Sequence, residues 1–133
     1  MNNMSLILAN QMITRAIEKA EELGVNVCIA VTDSGAHLKS FARMDNAFLG
    51  SVDVAISKAR TSTLFPLPSG TFGELIREEK LTGMDQSNGG LIGFPGGLPI
   101  TVEGIQVGAI GISGASAEQD SAIAEHAVAG INL

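Results

Sequence analysis

The stretch LPITVEGIQVGAIGIS, residues 98–113, has the pattern of two strands joined by a tight turn. The segments Leu98–Val102 and Ile105–Ser113 are rich in valine, isoleucine and threonine, which favour extended backbone. Between them, Glu103-Gly104 is typical of the two-residue turn that joins antiparallel strands. This stretch predicts a β-hairpin, and the other elements can be placed around it.

A helix is predicted directly after this hairpin. Ser116 and Gln119 have the spacing of a capping box, and alanine-rich sequence continues from there to about Ala129. Inside the hairpin, Gly108 and Gly111 interrupt the second strand. Glycine in such a position often marks a bulge or the close approach of another backbone.

The first third of the chain combines a helix with a second hairpin. Ser5 is a suitable N-cap for an amphipathic helix that Gly24 closes. The segments Val25–Thr32 and Ala36–Ala42 are predicted strands, and Asp33-Ser34-Gly35 supplies the turn between them.

A second helix is predicted from Ala47 to Thr63, with Asp45-Asn46 as its N-terminal cap. The segment Phe65-Pro66-Leu67-Pro68 must end it, because proline lacks an N–H and clashes with the preceding turn. The predicted apolar stripe of this helix consists of Leu49, Val52, Ile56 and Ala59.

A short third helix is predicted after the prolines. Thr71 and Glu74 have capping-box spacing, and the helix is expected to end near Lys80. Hairpins that alternate with helices favour an antiparallel sheet flanked by helices over a doubly wound parallel sheet. We therefore expect one α/β (α+β) domain over residues 1–133.

The charge and composition of the chain argue against several classes of partner. The net charge is −6 and no basic block of five residues occurs, which disfavours nucleic acid. No apolar run approaches the ~20 residues of a membrane span, and no signal-peptide pattern opens the chain. Cys28 is the only cysteine. These features predict a cytoplasmic protein.

The hydropathy of the chain favours self-association. Mean hydropathy is +0.29 and 45% of residues are hydrophobic, although no membrane segment is present. Part of this apolar surface is expected to be buried between subunits, which predicts a homo-oligomer. A monomer with a core rich in alanine and valine is the alternative.

The glycine-rich stretch GGLIGFPGG, residues 89–97, resembles a phosphate-binding loop only superficially. It lacks the Gly-Lys-Ser/Thr ending of a P-loop, and a predicted strand rather than a helix follows it. Its bare backbone would let a ligand or a neighbouring subunit approach closely, or it is simply a turn that requires positive φ. Both interpretations remain open.

Three charged residues around the first hairpin are candidates for ligand contact: Arg43, Asp45 and Lys58. An arginine at a strand-to-helix junction can grip a carboxylate with two parallel hydrogen bonds. An internal ion pair and a helix cap explain the same residues equally well.

His37, next to the turn of the first hairpin, is the candidate iron or metal ligand. His126 is a weaker candidate, and a lone histidine is more often an ordinary side chain. No Gly-x-Ser-x-Gly nucleophile motif and no paired-histidine metal motif is present. The residues alone do not require an enzyme.

Several segments, taken in their order and spacing, resemble the GlcG/HbpS family, which includes haem-binding HbpS proteins and the C-terminal domain of PduO-type adenosyltransferases. The resemblance extends over about residues 5–130. It is carried by residues 31–35 with Leu38, residues 43–47, Ser51, Ala55, residues 58–61, residues 94–100, residues 108–114 and Asp120.

This resemblance implies a profilin-like fold with helices on both faces of the sheet, and assembly into dimers or larger oligomers up to octamers. It also implies haem or tetrapyrrole binding in some members and an association with glycolate, glycerol or diol metabolism. The matched segment Phe94-Pro95-Gly96-Gly97 joins His37, Arg43, Asp45 and Lys58 as a predicted cofactor-binding residue set.

Three functions are therefore compared. The first is an oligomer that binds haem or a small molecule in a pocket formed by the glycine-rich loop and the first hairpin. The second is an enzyme or accessory factor for a small hydroxy acid, aldehyde or diol, in which Arg43, Asp45 and Lys58 polarise the substrate. The third is a structural assembly module.

Overall fold

A four-stranded antiparallel sheet, with strand order β2-β1-β4-β3, is the centre of the computed structural model, which describes residues 2–131. The N-terminal half contains α1 (Leu6–Leu23), β1 (Cys28–Asp33), β2 (Leu38–Arg43) and α2 (Gly50–Leu64). The C-terminal half contains α3 (Ser69–Glu78), a 3₁₀ segment (Met84–Gly89), β3 (Gly97–Val102), β4 (Ile105–Ser113) and α4 (Ala117–Ala129).

Helices cover both faces of this sheet, as the sequence and the family resemblance predict. On one face, α1 and α4 pack over Ile29, Val31, Ile110 and Ile112 and form the larger apolar core. On the other face, α2 packs against β1, β4 and β3. Its contact is made by small side chains, Ala55 and Ala59 against Ala30 and Cys28.

Gly111 on β4 explains why α2 presents small residues to the sheet. A Cβ at Gly111 would overlap the carbonyl oxygen of Ala55 and would lie 2.7 Å from the amide nitrogen of Ala59. The helix backbone therefore rests directly on the strand backbone. The close approach predicted from the glycines in this strand is confirmed, and a Cβ at Gly108 would likewise overlap the Thr32 carbonyl.

Local capping signals are confirmed at α1 and α4. Ser5 Oγ accepts from the N–H of Leu8 at 3.0 Å, and Gly24 closes α1 with φ of 72°. At α4, Ser116 and Gln119 each accept from the other's backbone N–H, at 3.1 and 3.2 Å. Each cap satisfies backbone N–H groups that the helix itself cannot pair.

The predicted start of the second helix is wrong. Asp45-Asn46 lies in a turn, with Asn46 at φ of 69° and the N–H of Ala47 bonded to the Met44 carbonyl. The helix α2 begins only at Gly50, and its N-cap residue Leu49 makes no side-chain cap bond. The N–H of Met44 also bonds to the carbonyl of Val27, which lies just before β1. This long-range contact holds Asp45-Asn46 in a turn, so α2 begins later than predicted.

The predicted apolar stripe of α2 is wrong at Leu49, which is 74% exposed and precedes the helix. Ala59 is buried, and Val52 and Ile56 are partly buried against the same cluster, as predicted. The buried face is Ser51, Ala55, Lys58, Ala59, Thr61 and Ser62. Larger apolar side chains cannot lie between α2 and the glycine on β4.

The capping box predicted for the third helix does not form. The helix α3 begins at Ser69 directly after Pro68, so Thr71 lies inside its first turn. Pro68 has extended backbone (φ −55°, ψ 139°) and no side-chain cap bond is made there. The predicted end near Lys80 is close to the observed last residue, Glu78. Within residues 2–131 no helix combines the length and apolar character needed to cross a membrane.

Candidate functional site

Lys58 is the largest fully buried side chain among the described residues, with 1% of its surface exposed. It lies on the face of α2 that packs on the sheet. Its Nζ donates to the Ile112 carbonyl of β4 at 2.8 Å and to Asp120 Oδ2 of α4 at 3.1 Å. A cation in the interior therefore joins a helix on one face of the sheet to a helix on the other.

Asp120 completes this ion pair from the first turn of α4. Its other oxygen, Oδ1, accepts from the N–H of Ala115 at 3.0 Å. Burial raises the pKa of Asp120, and the positive charge of Lys58 opposes this shift. Burial lowers the pKa of Lys58, and the negative charge of Asp120 opposes that shift. Both directions reflect the cost of removing charged groups from water.

The turn Phe94-Pro95-Gly96-Gly97 covers the Lys58 amine. Gly96 has φ of 132°, and a Cβ there would lie 2.7 Å from Lys58 Nζ, so only glycine fits. The Phe94 ring, 48% exposed, has its centroid 4.9 Å from the same nitrogen, which is a cation–π contact. This glycine-rich segment is therefore both a turn with positive φ and a cover for a buried charge.

Ser69, the first residue of α3, holds the same turn in place. Its Oγ donates to the Phe94 carbonyl at 2.7 Å and accepts from the Gly97 N–H at 2.8 Å. The serine hydroxyl is therefore used across the fold rather than as a local helix cap. This bonding explains why α3 begins where it does.

Three open grooves lie beside this turn. One, of about 270 Å³, is lined by Arg77, Asp85 and the segment Leu91–Phe94. Another, of about 280 Å³, is lined by Glu74, Ser121, Glu125 and the segment 95–98. The third, of about 430 Å³, is lined by Pro95, Ala122 and residues that include Ser121 and Glu125. The first two volumes fall below the range of about 300–1,000 Å³ for small-molecule sites, and the third lies within it.

His37 lies in the turn between β1 and β2, and its side chain is 83% exposed. Its Nδ1 is 3.5 Å from Asp33 Oδ1, and the same oxygen accepts from the backbone N–H of Gly35 and of His37. The distance from Nδ1 to Oδ1 is longer than a good hydrogen bond, and the exposed imidazole is accessible to a ligand.

Exposed apolar side chains occur on the elements next to the His37 turn. The N–H of Ser34 donates to Asn3 Oδ1 at 2.8 Å, which places Asn3, just before α1, beside this turn. Leu6 and Ile7 in the first turn of α1, and Leu38 at the start of β2, are exposed.

The structure brings together five of the eight predicted site residues: Lys58, Phe94, Pro95, Gly96 and Gly97. His37 lies towards the other end of the strands, because Asp33 pairs with Gly108 whereas Gly97 pairs with Gly111. Within one chain, therefore, the first hairpin turn and the glycine-rich turn do not enclose one pocket.

Arg43 and Asp45 lie apart from both groups. Arg43 ends the edge strand β2 opposite Cys28, at the far side of the sheet from β3. Burial raises the pKa of the Cys28 thiol, and the Arg43 charge opposes this shift. Since Lys58 is engaged by Asp120, the three charged residues of the proposed enzyme alternative do not converge on one substrate position.

Asp120 is the important residue that sequence reasoning did not assign to the site. It occurs four residues after the cap residue Ser116, where an acidic side chain is ordinary because it favours a helix N-terminus. The sequence offered two signals: Asp120 is among the residues that carry the family resemblance, and Lys58 is a charged residue next to Ala59 of the predicted apolar stripe.

Comparison with known proteins gives a consistent result. The family described as haem-degrading protein HbpS-like matches residues 4–129. An uncharacterized 15.0 kDa protein in the dhaT-dhaS intergenic region of Citrobacter freundii is 32% identical over 127 residues, covering 94% of this chain and 89% of that protein. Corrinoid adenosyltransferase PduO of Salmonella typhimurium is 32% identical over 126 residues, which are 93% of this chain and 38% of that protein.

A solved structure extends this likeness to three dimensions. The crystal structure of a PduOC–heme complex superposes with a TM-score of 0.91 at 31% sequence identity, covering 98% of this chain and 96% of that chain. The predicted antiparallel sheet flanked by helices and the predicted family are thereby confirmed. The chain belongs to the HbpS-like family.

Proposed function

We propose that this protein binds haem or a related tetrapyrrole as a homo-oligomer, with His37 as the iron ligand. The observation that carries the proposal is the exposed His37 imidazole, with Asp33 Oδ1 3.5 Å from its Nδ1, at an end of the sheet where apolar side chains are exposed. The solved PduOC–heme complex, with the same fold at 31% identity, supports the choice of ligand.

The chemistry of His37 suits this role. A histidine imidazole can bind haem iron through a ring nitrogen, and the exposed His37 side chain is accessible to such a ligand. Leu6, Ile7 and Leu38 would then cover one face of the porphyrin. Burying such side chains against an apolar ring stabilises the complex by roughly 25 cal/mol per Å².

Some of the other predicted site residues enter the proposal through the assembly. One chain offers His37 on a protruding turn, and its own glycine-rich turn lies elsewhere. We place Lys58 and the turn 94–97 in a second wall of the site, contributed by a neighbouring copy. Arg43 and Asp45 lie apart from this turn and are not placed in that wall. Lys58 acts there by holding the turn, because its amine is covered by Gly96 and Phe94.

A hemin titration tests the haem proposal. Wild-type protein is expected to shift the Soret band of hemin on binding, and His37→Ala is expected to weaken binding at least about tenfold, because an axial iron ligand is lost. His126→Ala is the matched control and should bind like the wild type. A wild-type protein that leaves the Soret band unchanged would contradict the proposal.

The proposed assembly, from a dimer up to an octamer, has a candidate contact surface just before α2. Phe48 and Leu49 are 73% and 74% exposed, although large apolar side chains are normally buried. Light scattering is expected to give a mass above that of one chain, and Phe48→Asp with Leu49→Asp to lower it. Leu81→Asp, at another exposed apolar position, should leave the mass unchanged. A wild-type protein with the mass of a single chain would refute the proposed assembly.

The cellular setting also belongs to the proposal. We place the protein in the cytoplasm, in cells that metabolise glycolate, glycerol or diols. The enzyme alternative receives less support, because Lys58 is already paired with Asp120 and Arg43 lies on the edge strand β2.

A further inference from the structure

A separate pocket lies between α1 and the end of α4, in the helical layer opposite α2. Its volume is about 410 Å³, within the range of sites for small molecules. It is lined by Gln11, Thr14, Arg15, Gly130 and Ile131. None of these residues belongs to the proposed haem site.

Arg15 is held rigidly at the wall of this pocket. Its Nη2 donates to the His126 carbonyl, in the last turn of α4, at 2.9 Å. The guanidinium lies flat against Gly130, where a Cβ would overlap its atoms. The side chain is therefore fixed by a hydrogen bond at one end and by the backbone of Gly130 beneath it.

The guanidinium is nevertheless incompletely paired. Nε is buried and has no hydrogen-bond partner among residues 2–131, and over the same range no carboxylate forms an ion pair with Arg15. A buried donor without a partner costs free energy. One carbonyl at the end of α4 uses only one of the five N–H groups of the arginine.

The chemistry of the pocket matches one class of ligand. A planar guanidinium binds a carboxylate with two parallel N–H···O bonds, and a side chain that is already ordered loses little entropy on binding. Thr14 Oγ1 donates to the Asn10 carbonyl at 3.1 Å, so its oxygen remains free to accept from a ligand hydroxyl. Gln11 adds a carboxamide that can donate or accept.

We infer that this pocket binds a small carboxylate, anchored by Arg15, with a hydroxyl group on the ligand improving the fit at Thr14. The site shares no residue with the proposed haem site, although both include residues of α1. Propionate, L-lactate and propionamide are suitable probes, since they share a size and differ only in the groups that the pocket is inferred to recognise.

The experiment follows the arginine side-chain Nε–H signals of ¹⁵N-labelled protein by NMR during titration. Propionate and L-lactate are expected to shift the Arg15 signal, identified by its absence in Arg15→Lys, while those of Arg43, Arg60 and Arg77 stay in place. L-lactate should bind several-fold more tightly than propionate, and propionamide should cause no shift.

Two variants connect the signal to the pocket. Arg15→Lys keeps the positive charge and can still reach the α4 carbonyl, but it lacks the planar fork, so propionate affinity should fall at least tenfold with little change in Tm. Gly130→Ala should cause a similar loss by displacing the guanidinium. Arg77→Lys, in a different groove, is the control and should bind propionate normally.

Three results would overturn the inference. Equal shifts with propionamide would show that charge is not recognised. Similar shifts of the Nε–H signals of all four arginines would show a general effect of ionic strength rather than binding at one site. Tighter binding of inorganic phosphate than of propionate would assign the pocket to a different class of anion.

Discussion

Lys58→Met is expected to lower the free energy of unfolding by about 3–5 kcal/mol, the usual cost of leaving one partner of a buried ion pair without the other. Lys58 is 1% exposed, and its Nζ lies 3.1 Å from Asp120 Oδ2. In the variant, the Asp120 carboxyl would lose its cation and the Ile112 carbonyl would lose a donor. Urea denaturation followed by circular dichroism measures the difference.

A double variant separates the charge from the packing. Lys58→Met with Asp120→Asn removes both charges, while the asparagine oxygen can still accept from the Ala115 N–H. It is expected to recover most of the loss, because a buried pair replaced by neutral groups is often close to neutral in stability. Lys80→Met, at an exposed lysine, controls for the loss of positive charge alone. Equal instability of the single and double variants would show that the loss does not come from leaving Asp120 without its cation.

Gly111→Ala is expected to destabilise the protein by about 3 kcal/mol, because overpacking a close backbone contact forces the surrounding elements apart. The added methyl would overlap the Ala55 carbonyl and lie 2.7 Å from the Ala59 nitrogen, both on the backbone of α2. Neither atom belongs to a side chain that could rotate away. The contact between α2 and β4 would have to widen along its length.

Gly50→Ala is the matched control for this substitution. Gly50 is the first residue of α2, and nothing lies within 4 Å of a Cβ placed there. The same added methyl should therefore leave stability unchanged or raise it by up to about 1 kcal/mol, since alanine favours helix. Guanidinium denaturation of both variants gives the comparison. A loss at Gly111 no larger than the change at Gly50 would be inconsistent with direct backbone packing.

The elements that sequence reasoning placed well are those with local physical causes. The turn at Glu103-Gly104 and the caps Ser5 and Ser116 depend on residues only a few positions apart. The start of α2 was misplaced because a contact between Met44 and Val27, distant in sequence, imposes a turn on Asp45-Asn46. The capping box at Thr71 failed because α3 begins immediately after Pro68.

Five of the eight residues predicted for a cofactor site lie together, whereas the other three lie elsewhere. Lys58 and the turn 94–97 are in contact, and their role in binding a cofactor stays a prediction. The partner Asp120 could not be inferred from spacing, because the two residues are 62 positions apart on opposite faces of the sheet. The distance between His37 and the glycine-rich turn depends on strand register, which the sequence pattern does not determine.

The ion pair between Lys58 of α2 and Asp120 of α4, which lies beneath the Gly96 turn, also affects how the molecule opens. Proteins exchange amide hydrogens through partial openings, and elements that can detach separately exchange faster than the whole. Here, lifting the turn breaks the bond from the Ile112 N–H to the Gly96 carbonyl and exposes a charge pair shared by both helical layers. The two layers and this turn are therefore expected to open as one cooperative unit.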